Sequence, residues 1–435
     1  MAIIGGGLAG LFTAIELIEH GIDDVVVFDE GSLPGGVART IQRDGYSLEP
    51  AAGTLMLPNP HLTPLLQHIG VTVTPAPDAG IRYVYTRGRL VGLPSSPKAA
   101  LSPLVSWSAK VRAAAEPFIR RPAEPDSDES LDSFLRRRFG QGLAGTLAWV
   151  AASGVFAGDP TRLAARSAFP ALPGLEDAAG SVVRGGVARM RQRSPGAIRP
   201  SGHVPKGGMT ALADAAAARL GDRYRPGTPV AGVTSGTIGW KVECPDTVTA
   251  QHLVVASRPS AAAGLVDDTL AGVLRQATTA PAVVLGLGGP AAGFPLPAGF
   301  GALTGPDAAT ATLGVLFESS YAPARSPEGH SFVKVIAGGA TRPHVVDWDD
   351  DRLVTTIGDE VSRILGRTIE ASFVEVVRHH HGIPQYNVGH RSWLERLDGL
   401  LMDRPGLHLT GWGYRGVGVA HIAADATAVA RRIAG

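Results

Sequence analysis

Three glycines close to the amino terminus have the spacing of a phosphate-binding turn. Gly5, Gly7 and Gly10 form the pattern G-x-G-x-x-G between a short apolar run and a helical segment. The first glycine permits a tight turn, the second lets the backbone approach a pyrophosphate, and the third lets helix and strand pack closely. The free N–H groups and the positive dipole end of the helix would then face the anion. The pattern predicts a bound dinucleotide.

An acidic residue and a second glycine pair extend this prediction. Asp29 lies 19 residues after Gly10, where a carboxylate binds both hydroxyls of an adenosine ribose and disfavours a 2′-phosphate. Gly35 and Gly36 follow six and seven residues after Asp29, which leaves room for a turn from the ribose back towards the pyrophosphate. A simple NAD dehydrogenase has no such pair, so these glycines favour FAD over NAD.

The carboxyl-terminal segment 407–433 supports the same cofactor. Its sequence, LHLTGWGYRGVGVAHIAADATAVARRI, is typical of a strand, a glycine-rich turn and a helix. A second helix N-terminus suits the isoalloxazine and ribityl end of a long cofactor. Because both ends of the chain would then contact the cofactor, we expect FAD.

A parallel sheet must position these residues. Strand Ala2–Ile4, helix Leu8–Glu19 and strand 25–28 form a βαβ unit, with Gly21 ending the helix. The stretch 34–60 is irregular, 82–91 is typical of a hairpin, and helical periodicity dominates 99–179. The other expected elements are a helix at 209–220, a strand pair at 230–242, a strand at 253–256, β-type segments over 282–337, a helix at 352–365, a strand at 408–409 and a helix at 420–433.

Composition excludes several classes of protein. The 435 residues carry a formal charge of +1, which argues against an electrostatic nucleic-acid binder, and the length suffices for two or three domains. Cys244 is the only cysteine, so no intramolecular disulfide or multi-cysteine zinc site can form. We expect no secretory leader, because the glycine pattern begins at Gly5, and no uninterrupted apolar run reaches about 18 residues.

Segments along the chain resemble those of the protoporphyrinogen oxidase family, flavoenzymes that aromatise porphyrinogens in haem synthesis. The resemblance runs from about residue 3 to residue 432. Its most specific segments are DESL, GVFAGDP and IPQYNVGH. The segments that carry it are, in order, GGGLAGL, DGYSLEPAAGTL, SWSAKVRAAAEPF, DESLDSFLRRRFG, SGVFAGDPTRLAARSAFPALPGLE, KGGMTALADAAAARL, GFGALTG, LGVLFESSYAPARSPEG and IPQYNVGH.

The resemblance implies an α/β fold in three parts. These parts are a discontinuous Rossmann-like FAD-binding domain, an α+β substrate domain, and a helical subdomain on the substrate and membrane side. The implied boundaries are FAD-binding at 1–65, 200–258 and 396–435, substrate-binding at 66–98 and 259–395, and the helical subdomain at 99–195.

The resemblance also implies which residues contact each ligand. The expected FAD contacts are Gly5, Gly7, Leu8, Ala9, Gly10, Asp29, Glu30, Gly35, Gly36, Gly53, Thr54, Val230, Trp412, Val417, Gly418 and Val419. The expected substrate contacts are Gly154, Val155, Phe156, Gly301, Leu303 and Ile336. The chain departs from the family at positions near the expected flavin site. These are Asp29, in place of Glu, Ala51 and Ala52, in place of Gly-Pro, Trp412, in place of Asn, and Asp425 and Ala426, in place of Ser-Gly.

The chemistry that the resemblance implies is hydride transfer from the porphyrinogen to flavin N5. Three two-electron oxidations, with O2 as acceptor and hydrogen peroxide as product, would aromatise the macrocycle. The family has no agreed protein base, so we assign no catalytic side chain. Met56 stands where a family member can place a cation for a propionate. Arg82 and the basic stretch at 184–199 are the alternatives, and that stretch also suits an anionic lipid surface or a solvated linker.

Two polar runs and one histidine have structural explanations. His379, His380 and His381 would point to alternate faces of a strand, so we expect no metal site there. The aspartates at 349–351 fit the acidic N-terminus of a helix. His390 matches a family position, where we expect it to orient backbone near the cavity.

Several alternatives remain at this point. The substrate could be protoporphyrinogen IX, which we favour, or coproporphyrinogen III, whose extra carboxylates need more cations. Another FAD amine oxidase or desaturase, or a partner protein in the haem pathway, is the alternative function. We expect a cytoplasmic protein that binds no nucleic acid. Peripheral contact with the inner face of the cytoplasmic membrane, and a homodimer, are compatible with the sequence.

Overall fold

A computed structural model describes residues 1–77, 80–94, 102, 104, 106–120, 128–192, 194, 196 and 198–435. The strands of this part of the chain are β1 Ala2–Ile4, β2 Val26–Phe28, β3 Ile41–Arg43, β4 Tyr46–Leu48, β5 Leu55–Leu57, β6 Val73–Pro75, β7 Ile81–Thr86, β8 Arg89–Pro94, β9 Ser201–Pro205, β10 Tyr224–Arg225, β11 Gly232–Gly236, β12 Gly239–Glu243, β13 Val248–Ala250, β14 Leu253–Val255, β15 Thr279–Pro290, β16 Gly301–Thr304, β17 Thr312–Leu316, β18 His330–Gly338, β19 Phe373–Pro384 and β20 Leu407–Leu409.

The helices surround these strands. They are α1 Leu8–Glu19, α2 Leu62–His68, α3 Trp107–Ala114, α4 Leu131–Phe139, α5 Gln141–Phe156, α6 Ala165–Ala168, α7 Ala171–Ala179, α8 Val182–Arg191, α9 Gly208–Leu220, α10 Pro259–Ala262, α11 Asp268–Leu274, α12 Glu318–Tyr321, α13 Asp350–Leu365, α14 His390–Met402 and α15 Val419–Ala434. No helix in these described ranges is both long and apolar enough to cross a bilayer.

A five-stranded parallel sheet collects strands from three distant parts of the sequence. Its order is β10-β2-β1-β14-β20, and every pairing is parallel. β1, β14 and β20 are buried throughout, as expected for strands covered on both faces. Helices α1, α9 and α15 pack on one face of this sheet. The predicted α/β fold with a parallel sheet is therefore confirmed.

A seven-stranded mixed sheet forms the second layer, in the order β19-β15-β18-β17-β16-β7-β8. All neighbours are antiparallel except β16 and β7. Helix α13 covers one face with Leu353, Ile357 and Val361. The opposite face carries Ile336 and is called the site face below.

The helical subdomain is held by buried charges. Arg138 is fully buried and pairs with Glu116, with 2.6 Å between Nη2 and Oε1. Arg137 pairs with Glu129 and, over 2.8 Å, with Glu176. The segments DESLDSFLRRRFG and FPALPGLE therefore meet in one charge network, which joins helices α4, α7 and α8 and the turn at Glu116. The division of the chain into three domains stays a proposal.

Some element boundaries differ from those expected. The stretch 34–60 is not irregular throughout, because β3, β4 and β5 lie within it. Each has three residues, too few for a periodic pattern, and β5 pairs with the distant strand β9. The expected hairpin at 82–91 is β7 and β8, which turn at Arg87 and Gly88 with positive φ. Parts of the expected helical region, at 95–101 and 121–127, lie outside the described residues, as does Arg193.

Candidate cofactor and substrate site

The glycine pattern at residues 5–10 forms a tight junction between β1 and α1. Gly5 has a φ of +111°, which an L side chain rarely adopts. A Cβ on Gly10 would lie 1.9 Å from the carbonyl oxygen of Gly5, so helix and strand touch through their backbones. Gly7 is the N-cap of α1, and a Cβ there would meet nothing within 4 Å. The backbone at Gly7 therefore faces open space at the positive end of the helix.

The glycine pair at residues 35 and 36 packs directly on the glycine pattern at residues 5–10. The N–H of Gly35 donates to the carbonyl of Gly6 over 2.8 Å, and Gly35 bridges to Gly7. A Cβ on Gly36 would lie 3.4 Å from the Cα of Gly7. The chain thus returns from Asp29 to the phosphate-binding turn, which is the path that the spacing of these glycines predicts.

Asp29 stands at the carboxyl end of β2, beside Gly6. Its Oδ1 accepts from the N–H of Gly31 over 3.0 Å, and a Cβ on Gly6 would lie 2.2 Å from its Oδ2. Burial raises the pKa of Asp29 above its ordinary value, although backbone donors oppose this effect. Glu30 is exposed. Val230 lies apart from the glycines, because its side chain packs on the other face of the parallel sheet.

The carboxyl-terminal turn meets the start of α1. A Cβ on Gly411 would lie 3.3 Å from the Cβ of Ala9. Gly418 is the N-cap of α15, and Val419 shares an apolar cluster with Leu8 and Ala9. The N-termini of α1 and α15 are therefore adjacent. Val417, just before this cap, instead packs against the apolar cluster of the helical subdomain.

The segment 49–54 runs between the two layers. Glu49 is buried, and its Oε1 accepts from the hydroxyl of Thr40 over 3.0 Å and from the N–H of Met209 over 3.1 Å. Burial raises the pKa of Glu49. Gly53 is buried against the guanidinium of Arg325, while the following Thr54 is half-buried. This segment leads directly into β5.

Two of the six expected substrate residues, Leu303 and Ile336, lie on the site face with one glycine between them. Leu303 of β16 is in register with Gly314 of β17, which is in register with Ile336 of β18. Leu303 and Ile336 are half-buried, and a Cβ on Gly314 would lie 2.9 Å from Cδ2 of Leu303, so the Leu303 side chain packs over this glycine. Gly154, near the end of α5, lies over this row, because a Cβ there would be 2.9 Å from Cδ1 of Leu303.

The other three expected substrate residues occupy different environments. Val155 is exposed at the end of α5, whereas Phe156 is buried against Tyr386. Gly301 has a φ of +155°, and a Cβ there would lie 2.4 Å from the carbonyl oxygen of Val315. Close packing within the sheet thus requires glycine at position 301.

Two of the quoted segments bind one another. The side-chain amide of Gln385, in IPQYNVGH, donates to the carbonyl of Phe156, in GVFAGDP, over 2.8 Å. The N–H of Ala164 donates to the carbonyl of Tyr386 over 2.8 Å. His390 stacks on Tyr386 with a ring separation of 4.1 Å, and its Nε2 lies 3.0 Å from the carbonyl of Tyr414. Burial lowers the pKa of His390, consistent with a neutral ring that orients backbone.

The polar runs do not gather into a metal site. His379 Nε2 lies 3.0 Å from the carbonyl of Pro50, while His380 and His381 are exposed. Asp349 caps α13, since its Oδ1 accepts from the N–H of Arg352 over 2.7 Å. In the described residues, no group of three or more His, Cys, Asp or Glu side chains is arranged to hold a metal ion.

Sequence reasoning missed four residues that border this site. Gly314, Glu318, Arg325 and Lys334 join it only through strand registers and ion pairs formed over long sequence separations. The only available signal was Lys334, a charged residue in the apolar run SFVKVIAGG, two positions before Ile336. On a strand, that spacing places both residues on one face.

The arrangement suits a long cofactor that extends from Asp29 to the turn at Trp412. Two adjacent helix N-termini, at Gly7 and Gly418, provide N–H donors for a pyrophosphate. Nε1 of Trp412 and Oε2 of Glu49 are buried and have no hydrogen-bond partner among the described residues. Buried polar atoms are normally paired, so both atoms fit a bound polar ligand.

Comparisons with known proteins agree with this geometry. Protoporphyrinogen oxidase from the chloroplast of Nicotiana tabacum is 28% identical over 475 residues, covering 100% of this chain and 85% of its own length. Coproporphyrinogen III oxidase of Bacillus subtilis strain 168 is 25% identical, covering 96% of this chain and 94% of its own length. A structure described as a candidate protoporphyrinogen oxidase from Exiguobacterium sp. 255-15 superposes with a TM-score of 0.84 at 22% identity, covering 100% of this chain and 98% of that one.

The match to a family covers nearly the whole chain. Residues 8–434 match the family described as flavin-containing amine oxidoreductases. Its cofactor is FAD, as the glycine pattern, the second glycine pair and the carboxyl-terminal turn predict. The chain belongs to the flavin-containing amine oxidoreductase family, and its relatives in sequence include protoporphyrinogen and coproporphyrinogen III oxidases.

Proposed function

We propose that the protein is an FAD-dependent porphyrinogen oxidase. The observation that carries the proposal is the apolar row Leu303–Gly314–Ile336 on the site face, with Gly154 above it. A flat apolar macrocycle needs such a surface, with few polar groups, close to the cofactor. Segment 49–54 connects this face to the two helix N-termini, so substrate and cofactor would meet beside it. The names of the sequence relatives point to the same reaction class.

The proposed reaction removes hydrogen from the macrocycle in three rounds. FAD, held by the turns at Gly7 and Gly418, would supply the two-electron chemistry of each round by accepting a hydride from a methylene carbon at N5. A nitrogen or carbon of the macrocycle would lose a proton, and O2 would accept two electrons and two protons to give hydrogen peroxide. The row Leu303–Gly314–Ile336 would hold the ring plane, and the buried Phe156 would support the end of α5. No side chain is assigned as a base.

We favour protoporphyrinogen IX as the substrate. Arg82 of β7 is in register with Gly301 and lies near the edge of the site face, where it could bind a propionate. Its guanidinium lies 5.3 Å from the centre of the Phe300 ring, which fixes its direction. Lys334, on β18 of the same sheet, is paired with Glu318. One arginine at this edge suits a substrate with two carboxylates better than one with four.

Coproporphyrinogen III is the second candidate, because the Bacillus relative named for that substrate matches over 94% of its own length. The test is to incubate purified, yellow protein with each porphyrinogen in air and follow red porphyrin fluorescence. We expect faster formation of protoporphyrin than of coproporphyrin. No fluorescence from either substrate would contradict the proposal and favour another oxidase of the family.

We further propose that the helical subdomain contacts an anionic membrane surface. Trp107 and Phe118 are 75% and 82% exposed, and Met190 of the basic helix α8 is 66% exposed. Exposed apolar side chains next to arginines are typical of interfacial binding. The protein should float with vesicles of anionic phosphatidylglycerol and not with neutral phosphatidylcholine vesicles. Phe118→Ser should reduce flotation, and equal flotation of both proteins would contradict this contact.

A further inference from the structure

Four charged residues form a buried ion cluster between the site face and the FAD-binding layer. The buried ion cluster consists of Glu49, Glu318, Arg325 and Lys334, with exposed fractions of 1%, 0%, 4% and 5%. The two carboxylates and the two cations give the cluster a formal net charge of zero. Burying four charges is costly unless each is paired and hydrogen-bonded, so such a cluster needs a reason.

Glu318 holds both cations in place. Its Oε2 pairs with Nη1 of Arg325, and its Oε1 lies 3.4 Å from Nζ of Lys334. The hydroxyl of Tyr321 donates to Oε1 over 2.5 Å. Burial would raise the pKa of Glu318, but the charges of Lys334 and Arg325 outweigh it and hold the pKa below its ordinary value. The Glu318 carboxylate is therefore ionised and fixed.

The two cations in turn bind three carbonyls of a single segment. Nζ of Lys334 donates to the carbonyl of Glu49 over 3.1 Å and to that of Ala51 over 3.4 Å. Nη2 of Arg325 donates to the carbonyl of Gly53. The carbonyl groups of residues 49, 51 and 53 are thus hydrogen-bonded to Lys334 on β18 and to Arg325 in the turn before β18. Charge-assisted hydrogen bonds of this kind are among the stronger ones in proteins.

The tied segment reaches the FAD-binding layer on its other side. Ala52 packs against the apolar cluster that contains Leu8, Ala9 and Val419, in the first turns of α1 and α15. Lys334 lies two residues before Ile336 on β18, so both project from the site face. The path from Ile336 to the helix N-termini therefore runs through Lys334 and the segment it binds.

We infer that Lys334 is a positioning residue, whose ammonium sets the distance between the two helix N-termini of the cofactor site and the substrate row by fixing segment 49–54. The inference rests on the proposed function only for the substrate side. Its effect on FAD is independent of which substrate the protein oxidises. Lys334 itself takes no part in the chemical step.

The test compares Lys334→Met with Lys334→Arg and with Lys241→Met, which removes an exposed lysine of β12 far from this cluster. FAD affinity is measured by fluorescence titration of the apoprotein, and the bound flavin by its visible absorption spectrum. We expect Lys334→Met to weaken FAD binding by roughly tenfold or more and to shift the flavin bands. Lys334→Arg should recover part of both, and Lys241→Met should match the wild type.

A purely structural role gives a different result. In that case Lys334→Met lowers the melting temperature of the apoprotein but leaves FAD affinity and the flavin spectrum of the folded protein unchanged, which would overturn the inference. If Lys334→Met does not fold, Tyr321→Phe, which removes one hydroxyl contact to Glu318, gives the same readouts. A wild type that binds FAD but oxidises no porphyrinogen would refute the proposed function and leave this test intact.

Discussion

At residue 10 the distance between two backbones leaves no room for a side chain. A Cβ on Gly10 would approach the Gly5 carbonyl to 1.9 Å, and neither the strand nor the helix can yield without moving the turn between them. The same turn carries Gly7, the N-cap that faces open space. Helix packing and cofactor binding are therefore coupled at these glycines.

Gly10→Ala should lose FAD and stability together. The added methyl group forces α1 away from β1, at a cost of about 1–3 kcal/mol or more. Gly358→Ala is the matched control, because Gly358 lies within helix α13 and a Cβ there would meet nothing within 4 Å. It should stabilise the protein by about 0.5–1 kcal/mol. Chemical denaturation and the flavin content of the purified proteins check both results, and a yellow Gly10→Ala protein of normal stability would contradict this interpretation.

Residues whose role depends on neighbours in sequence could be predicted, and residues that depend on distant partners could not. Gly5, Gly7 and Gly10 act within one turn, so their spacing alone indicates a phosphate site. Lys334 donates to the carbonyl of Glu49, 285 positions away in sequence. No pattern of neighbouring residues predicts this contact, because a single lysine in an apolar strand does not indicate which distant residue it binds.

At the scale of elements, helix α4 shows how three consecutive arginines differ. Arg136 is at the surface and pairs with Asp132 one turn earlier, whereas Arg138 is fully buried. Arg138 binds Glu116 and donates to the carbonyls of Ile119 and Gly180. Glu116 also accepts from the N–H groups at the start of α8. The pair of Arg138 and Glu116 therefore joins helix α4 to the N-terminus of helix α8.

Arg138→Met should destabilise the protein by about 3–5 kcal/mol, because it leaves Glu116 buried without a counter-charge. Arg136→Met, two positions earlier on the same helix, should leave the free energy of unfolding nearly unchanged. Urea denaturation and limited proteolysis of the helical subdomain measure the difference. Equal effects of the two substitutions would show that burial of Arg138 does not decide the stability of this subdomain.

The long elements were predicted well from periodicity, while the short strands were not. Helix α1 has the predicted bounds, and the helices predicted at 209–220 and 420–433 each begin one residue earlier, at Gly208 and Val419. Strands β3, β4 and β5 have three residues each and are defined by their partners. The segments DESL and GVFAGDP, which carry the resemblance to the family, make mainly structural contacts within the fold.

At the scale of the whole molecule, the cofactor site lies at the carboxyl ends of the parallel strands, and a pair of histidines lies away from it. Nδ1 of His252 lies 3.3 Å from Nε2 of His408, beside the amino terminus of the chain. Burial, together with His252 and Arg432, lowers the pKa of His408 to about 4. The ring is therefore neutral in the folded protein at pH 7.

This pair predicts loss of stability on acidification. Between pH 6.5 and about 4 the unfolded chain binds a proton at His408 that the folded protein does not, so unfolding becomes more favourable as the pH falls, by roughly 2–3 kcal/mol. The unfolding free energy of His408→Asn should vary less over this range. His380→Gln, which changes an exposed histidine, should keep the wild-type slope, and an unchanged slope in His408→Asn would contradict the assignment.

The relation between the two sheets could not be predicted from sequence. Strands at 2–4, 25–28 and 253–256 are expected from the sequence, and the structure pairs them in one parallel sheet in an order that the sequence does not indicate. The position of the site face against segment 49–54 depends on the buried ion cluster, which links residues 49, 318, 325 and 334. The family resemblance predicts substrate contacts at Leu303 and Ile336, and the strand registers place Gly314 between these two residues.

The central claim is that this flavoprotein removes electrons from a porphyrinogen, and an anaerobic titration tests it most directly. Protoporphyrinogen is added to the yellow protein without oxygen, while flavin absorbance and porphyrin fluorescence are recorded together. Since aromatisation releases six electrons and FAD takes two, we predict bleaching with about one porphyrin formed per three flavins. Flavin that stays oxidised with either porphyrinogen, yet bleaches with a primary amine, would contradict the claim.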